Sequence, residues 1–365
     1  MCNKMTDISL QLYCETSLIK LSLPTFKMRS QPRFAFHIFL LACATVLSSC
    51  AFNKVLKKGT ADEKLVAAKK YYAKKDYNRS MPLLDDLIGK HYRGADAEEV
   101  YYLYSKTFYG MQDYIMAGYH FKNFTETYPY SKYVEESAFL SAKCEYHKAL
   151  PYYLDQGNTR KAIDRIQLFI NKFPKSTYVE EGNKLIDDLR LSLHNKAYHM
   201  AMLYYNMESY KAAYVSCKNA IIDYPDIPQY TELEYIMVDA AYKYAAQSVV
   251  GVQAERFQLA IEEGKDFLKN HTETNLYYNE VKDLVDRSII EKDFSEIRLA
   301  YNKAITHVKD AVSNYEETIR LGNAFLEQQG GGTKHKRDVE KMISEANRKL
   351  KIFREEVEVN KEQQD

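Results

Sequence analysis

The chain has 365 residues, 46% of them hydrophobic, with 51 basic against 50 acidic side chains. This apolar content excludes a disordered chain, and the missing basic excess argues against a nucleic-acid partner. With 32 tyrosines, no tryptophan, 13 glycines and 8 prolines, the composition disfavours a many-turned β fold and favours helices.

The first element is an apolar run at residues 34–46, FAFHIFLLACATV, behind Lys27, Arg29 and Arg33. The run is shorter than the roughly 20 residues a membrane span needs, and its basic flank gives it the layout of a secretory signal. It closes on Leu47-Ser48-Ser49-Cys50, which resembles the lipobox of bacterial lipoproteins. Residues 28–49 therefore read as a lipoprotein signal peptide that starts at Met28, with residues 1–27 an extension upstream of the true start. Cys50 is the lipidation site and the new N-terminus. Removal of residues 1–49 leaves 46 basic and 48 acidic residues. Residues 50–60 read as a tether. Ala51 stands where resemblance to other lipoproteins places Asp as an inner-membrane retention signal, so the expected location is the outer membrane, periplasmic face.

From residue 61 to 272 one pattern recurs. Its clearest copy has Tyr101, Tyr104, Ser105 and Phe108 on a first helix, a polar turn at Met111-Gln112-Asp113, then Ala117, Phe121 and Phe124 on a second, closed by Pro129. This resembles the tetratricopeptide repeat. An upstream copy has Ala67, Ala68, Tyr71, Tyr77, Ser80 and Leu84. The third copy has Phe139, Ala142, Tyr146, Ala162, Ile166 and Phe169, ends at Pro174, and carries the insertion PYYLDQGNT. The fourth has Ala197, Ala201, Tyr204, Tyr210, Ala213 and Cys217 before Pro225. A weaker fifth has Ala240, Ala241, Tyr244, Ala260 and Phe267. The small residue lets two helices approach, the aromatic pair (Phe108 with Phe121, Tyr204 with Tyr210) fills the space left, and the proline ends the second helix. The expected fold is all-α: a right-handed superhelix of about five tetratricopeptide-like helix pairs with a C-terminal helical extension. One long helix is expected over residues 178–207, serving two neighbouring units.

Residues 273–365 keep helical periodicity without the repeat. One apolar stripe runs Ile297, Tyr301, Ile305, Val308, Val312, Tyr315, Ile319, and a second runs Val339, Met342, Ala346, Leu350, Phe353, Val357. Glycines 330–332 lie between them, so the segment reads as a hairpin turning there, or as two helices that pair with a partner.

Cys144 and Cys217 lie deep in helical patterns and read as small core residues. Cys144 with His147 has an i, i+3 spacing but no second ligand pair, so no metal site and no cofactor are expected. Phosphate-loop, dinucleotide, zinc-protease and nucleophile-elbow motifs are absent from the sequence. Adjacent acidic pairs such as Asp187-Asp188 point to different sides of a helix. The expectation is a non-enzymatic protein.

In a stack of helix pairs the first helices form an inner wall that suits extended peptides. On this template Lys69, Tyr72, Tyr102, Lys106, Tyr109 and His147 fall on that wall, where lysines could hold a terminal carboxylate and rings an apolar side chain. The lipobox, the five units, the insertion, the long shared helix and the segments TYPYSKY, NKFPKSTYVEEGNKLIDDL and IIDYPD together resemble the BamD family, over roughly residues 47–272. That resemblance implies a lipid-anchored scaffold of outer-membrane protein assembly. Its partners would be the barrel-forming subunit and the C-terminal segments of unfolded outer-membrane proteins. Another envelope adaptor or secretin pilot, or a glycan-binding lipoprotein, remain alternatives on the same fold.

Overall fold

A computed structural model describes residues 52–89, 96–307, 310–328 and 334–362. Among these every regular element is helical. The segments read as upstream extension, signal peptide and acylated Cys50, together with Val308 and the glycine run 330–332, lie outside the described residues. The chain divides into two compact units at Gly94 and Ala95.

In the first unit a short helix α1 (residues 52–58) precedes α2 (Ala61–Ala73) and α3 (Tyr77–Gly89). Thr60 and Glu63 form a reciprocal capping box that starts α2, satisfying two orphan backbone donors. The pair closes on small and apolar residues: Ala68, Leu83 and Leu84 are fully buried, and the Ser80 hydroxyl donates to the Ala68 carbonyl at 3.0 Å. The buried Lys64 ammonium reaches Asp86 at 2.6 Å, so the charge taken from water keeps a partner. Phe52 of α1 sets its ring edge-on to Tyr71 at 5.7 Å.

The second unit holds α4 (Ala97–Gly110), α5 (Tyr114–Thr127), α6 (Val134–His147), α7 (Gly157–Lys172), α8 (Val179–Asn206), α9 (Tyr210–Asp223), α10 (Tyr230–Ala246) and α11 (Val250–Asn270). It ends in α12 (Tyr278–Thr306), α13 (Ala311–Gln328) and α14 (Lys336–Glu362). Paired in order, α2–α3, α4–α5, α6–α7, α8–α9 and α10–α11 are the five helix pairs.

The turns inside three pairs share one geometry. Lys75, Gln112 and Glu208 each take a positive φ, 59°, 63° and 57°. The next residue's N–H returns to a carbonyl of the preceding helix: Asp76 to Tyr71, Asp113 to Phe108, Ser209 to Tyr204. These are left-handed helix ends that satisfy otherwise orphaned carbonyls. Between pairs a second device recurs. Tyr128-Pro129, Phe173-Pro174 and Tyr224-Pro225 end the second helices, because proline cannot continue them. After the first two of these, a hydroxyl starts the following helix: Ser131 accepts from Tyr133 N–H before α6 and Ser176 from Tyr178 N–H before α8, at 3.2 and 3.1 Å. Before α12, at a junction without proline, the Asn275 amide oxygen accepts from Tyr277 N–H in the same way at 2.9 Å.

The insertion in the third pair is organised by one side chain. Gln156 is buried, donates through Nε2 to the Pro151 and Leu154 carbonyls at 2.9 and 3.1 Å, and accepts through Oε1 from the Thr159 hydroxyl at 2.7 Å. Gln156→Ala should cost about 1–3 kcal/mol, because those groups lose their partner in a buried place. Thermal unfolding checks this, and a variant as stable as the parent would show that the loop is held by something else.

Long α8 is one uninterrupted helix of 28 residues. Its first half, with Leu185, Ile186 and Leu189, packs with Phe139, Ile166 and Phe169. Its second half, with Ala201 and Tyr205, packs with Cys217, Leu233 and Ile236. Cys144 and Cys217 are buried free thiols whose pKa burial pushes up to about 12. Such thiols carry little thiolate at neutral pH and are inert core groups.

Three details depart from the sequence reading. The ring that reaches Phe121 is Tyr109, at 6.4 Å, whereas Phe108 stacks on His120 at 5.2 Å. The ring that meets Tyr210 is Tyr205, at 5.9 Å, not Tyr204. One residue along a helix turns a side chain by about 100°, enough to exchange which neighbour it faces. The apolar stripe from Ile297 to Ile319 is likewise shared by two helices, since α12 stops at Thr306 and α13 begins at Ala311. Ile305 and Val312, beside the break, are exposed. Tyr301, Ala304, Ala311 and Tyr315 pack with Ala346, Leu350 and Phe353 of α14, so the three helices share a core.

Candidate protein-binding face

The first helices of successive pairs meet along a repeated quartet. In α4 Tyr102 and Lys106 stand one turn apart. Tyr102 stacks on Tyr133 at 4.2 Å and 10°, and Lys106 lies 5.2 Å over the Tyr102 ring while pairing with Glu136 at 2.9 Å. One unit on, Phe139 stacks on Tyr178 at 4.7 Å and 14°. Lys143 lies 5.8 Å over Phe139 and pairs with Glu181 at 2.5 Å. The rule is an aromatic residue, a lysine four on, an aromatic residue heading the next first helix, and a glutamate three beyond it. The cation gains from both the ring quadrupole and the carboxylate. Farther along the polarity reverses: Tyr235 stacks on Tyr277 at 4.7 Å and 7°, but Asp239 holds the lysine position. Asp239 pairs with Lys243 at 2.7 Å and accepts from the Tyr205 hydroxyl, which Lys243 also meets at 2.6 Å.

Beside the first quartet Tyr109 and His147 exchange a hydrogen bond at 3.0 Å, and His147 stacks on Tyr114 at 4.1 Å and 15°. Burial pushes the Tyr109 phenol up to about 12, helped by the nearby Cys144. Burial, then Lys143, lowers the His147 pKa. Both groups are therefore neutral at physiological pH, and this corner offers ring faces and one hydroxyl beside two cations already in ion pairs.

Of the six residues expected on the inner wall, Tyr102 with Lys106 and Tyr109 with His147 are brought together between α4 and α6. Lys106 and Tyr109 are half-buried and His147 is exposed, while Tyr102 is buried within the cluster of Phe121, Phe124 and Cys144. Lys69 and Tyr72 belong to α2 of the first unit, where Lys69 is exposed and Tyr72 meets Tyr77 edge-on at 5.6 Å. The sequence reading missed Lys143, and with it Tyr133, Glu136, Tyr178 and Glu181. The signal for these last four was the tetrapeptide Tyr-Val-Glu-Glu, which occurs at 133–136 and again at 178–181.

His120, His147 and His194 all have lowered pKa values, each chiefly through burial. A histidine held neutral binds fewer protons folded than unfolded. Its contribution to stability is present above the unfolded value of about 6.5 and is lost as pH falls through the lower folded value. The guanidinium midpoint should therefore drop between about pH 7.5 and about pH 5.5, and His120→Gln with His147→Gln should reduce the drop. A midpoint that rises on acidification over this window contradicts the assignment.

Among the described residues no group of three or more His, Cys, Asp or Glu side chains is placed to hold a metal ion, and no helix is long and apolar enough to cross a membrane. A family model described as outer membrane lipoprotein, YfiO, matches residues 58–255. No curated protein matches the chain. Among solved structures, the chain is similar to a complex of the TPR2AB domain of yeast Sti1 with pHSP90. The identity is 12% and the TM-score 0.31, over 79% of this chain and 98% of that one. It is also similar to the TPR domain of P58(IPK), at 12% identity and TM-score 0.30, over 82% of this chain and 68% of that one.

Proposed function

The chain belongs to the YfiO family of outer membrane lipoproteins, and on that footing we propose that it is a non-enzymatic, lipid-anchored scaffold of outer-membrane protein assembly. A lipid on Cys50 holds it at the periplasmic face of the outer membrane. It binds the barrel-forming subunit of the assembly machinery and the C-terminal segments of unfolded outer-membrane proteins. The observation that carries the reading is the family match across residues 58–255, which includes both lysine quartets.

The chemistry of binding follows from the first quartet. Lys106 is held by Glu136 over the Tyr102 ring, one helical turn before Tyr109, which bonds His147. A client's terminal carboxylate replaces Glu136 as its partner, and the client's last apolar side chain covers those rings. Because one ion pair is exchanged for another, binding is modest and salt-sensitive, as suits a protein that must pass its clients on. Lys69 and Tyr72 offer the same pair of functions in the first unit.

Depletion in the source cell should lower many barrel proteins together, and a tagged chain should co-purify with an integral barrel subunit. Normal barrel levels on depletion would refute the assembly role. Helices α12–α14 lie beyond the matched segment, which favours a second reading as an adaptor or pilot for a different envelope complex. Recovery of a secretin or another integral protein in the purification selects it.

A further inference from the structure

A groove separate from the Lys106 face lies between the second helices α5 and α7, with α6 as its floor. Its volume is about 420 Å³, room for a few side chains. Gly118 sets its depth. A Cβ there would stand 3.2 Å from the Cys144 Cβ, and the Gly118 carbonyl accepts from the Ser141 hydroxyl at 3.2 Å, so α5 lies close against α6. The groove and the quartets use opposite faces of α6. Ser141, Glu145 and Lys148 point into the groove, whereas Lys143 and His147 serve the other side.

The groove is strongly cationic in a chain of near-zero net charge. Lys122, Lys148, Lys161, Arg165 and Lys172 line it against the single carboxylate of Glu145. Glu145 is spent on the floor, pairing with Lys148 at 2.7 Å and Lys161 at 3.3 Å. Toward the rim Lys122 has only an exposed contact with Glu126 at 3.8 Å. Arg165 and Lys172 are exposed on α7. Three large apolar side chains stand exposed among these cations: Ile115 at 70%, Tyr119 at 58% and Leu168 at 57%. Tyr119 and Leu168 come from opposite walls. A flat anionic lipid surface would meet the rim charges but not enter the groove, and the polyanionic backbone of a nucleic acid would leave its apolar walls unused. A peptide with alternating acidic and apolar side chains matches both features.

We propose that this groove docks an acidic, apolar-bearing segment of a partner protein. Its carboxylates meet Arg165, Lys161 and Lys122, and an aliphatic or aromatic side chain enters between Tyr119 and Leu168. Docking in this groove is independent of the chain's role in assembly.

The test uses the full mature chain with Cys50→Ser and a fluorescein-labelled twelve-residue peptide in which Glu and Asp alternate with Leu and Tyr. Binding is followed by anisotropy at several salt concentrations. A control peptide keeps the charges and carries Ser in place of Leu and Tyr. The charge-reversed variant Lys161→Glu/Arg165→Glu changes exposed residues, and circular dichroism confirms that it folds. It should weaken binding at least ~10-fold and flatten the salt dependence, and Leu168→Ser should weaken binding ~5-fold without changing the salt slope. The peptide's C-terminus is amidated, so it lacks the terminal carboxylate assigned to Lys106, and Lys341→Gln, at an exposed position of α14 away from the groove, should leave its affinity unchanged. The proposal is overturned if Lys161→Glu/Arg165→Glu binds within about twofold of the parent. It is equally overturned if the control peptide binds as well as the probe, or if phosphatidylglycerol vesicles bind with the same sensitivity to both variants and displace the peptide.

Discussion

Replacing Cys50 with serine should move nearly all of the protein from the membrane pellet to the soluble periplasmic fraction, the largest change of location any single substitution in this chain can produce. The reason is arithmetic on the proposed anchor. Each buried methylene of an acyl chain contributes about 0.8 kcal/mol, one chain binds only marginally, and two or more on one residue hold the protein in place. Nothing else on the described surface competes with that. Lys54, Lys57 and Lys58 of α1 are exposed, and each adds on the order of 1 kcal/mol at an anionic surface, an attraction that salt removes. The variant should therefore wash off at moderate salt, and the parent should not. Intact-mass measurement of the parent should show the mass of the acyl groups. A Cys50→Ser protein that stays in the pellet through a salt wash, or a parent with no added mass, ends the lipoprotein assignment for this chain.

The second large effect is on stability. Phe121→Ala should cost about 3–5 kcal/mol, the range for emptying an aromatic site in a close-packed core. Phe121 is fully buried at the join of the second and third pairs. It shares a cluster with Tyr102, Ala117, Phe124 and Cys144, against which Tyr109 and Leu140 pack. The residues contributing to that cluster come from α4, α5 and α6, so the cavity opens between a pair and its successor rather than inside one hairpin. Phe121→Leu keeps most of the volume and should cost less than about 1.5 kcal/mol. Guanidinium unfolding followed by circular dichroism separates the two. If Phe121→Ala unfolds within about 1 kcal/mol of the parent, the aromatic side chains do not interlock the pairs as described.

Much of the fold was legible because the repeat encodes it several times over. The small positions Ala117, Ala142, Ala162, Ala201, Ala213 and Ala260 were readable from spacing alone, and all are buried. The prolines marked three of the inter-pair turns, and the run without a break over residues 178–207 became one helix. What spacing could not resolve was direction. Phe108 and Tyr109 are adjacent aromatics that both meet α5, at His120 and at Phe121, and spacing alone does not say which of them takes Phe121. The C-terminal stripe failed for a related reason: helical spacing continues in the sequence across a place where the chain leaves the helix at His307. At the candidate face, the template pointed to Tyr102, Lys106 and Tyr109 of α4, but not to Lys143 of the second quartet. The partners of the two lysines could not be read, because Glu136 and Glu181 come from the next unit and are identified only once two units are laid side by side. The basic groove was invisible for the same reason. Its cations are scattered over residues 122–172 among acidic neighbours, and only the folding of three helices collects them.

The 28-residue helix α8 seats two cores at once, and this makes the middle of the protein indivisible. At 1.5 Å per residue it is a strut of about 42 Å. Excising either adjacent hairpin would leave half of the strut with a bare apolar flank, so a viable shortened form must lose both hairpins or neither. Change in the length of the array is thus confined to its ends, and the end after α11 is where this chain carries three further helices.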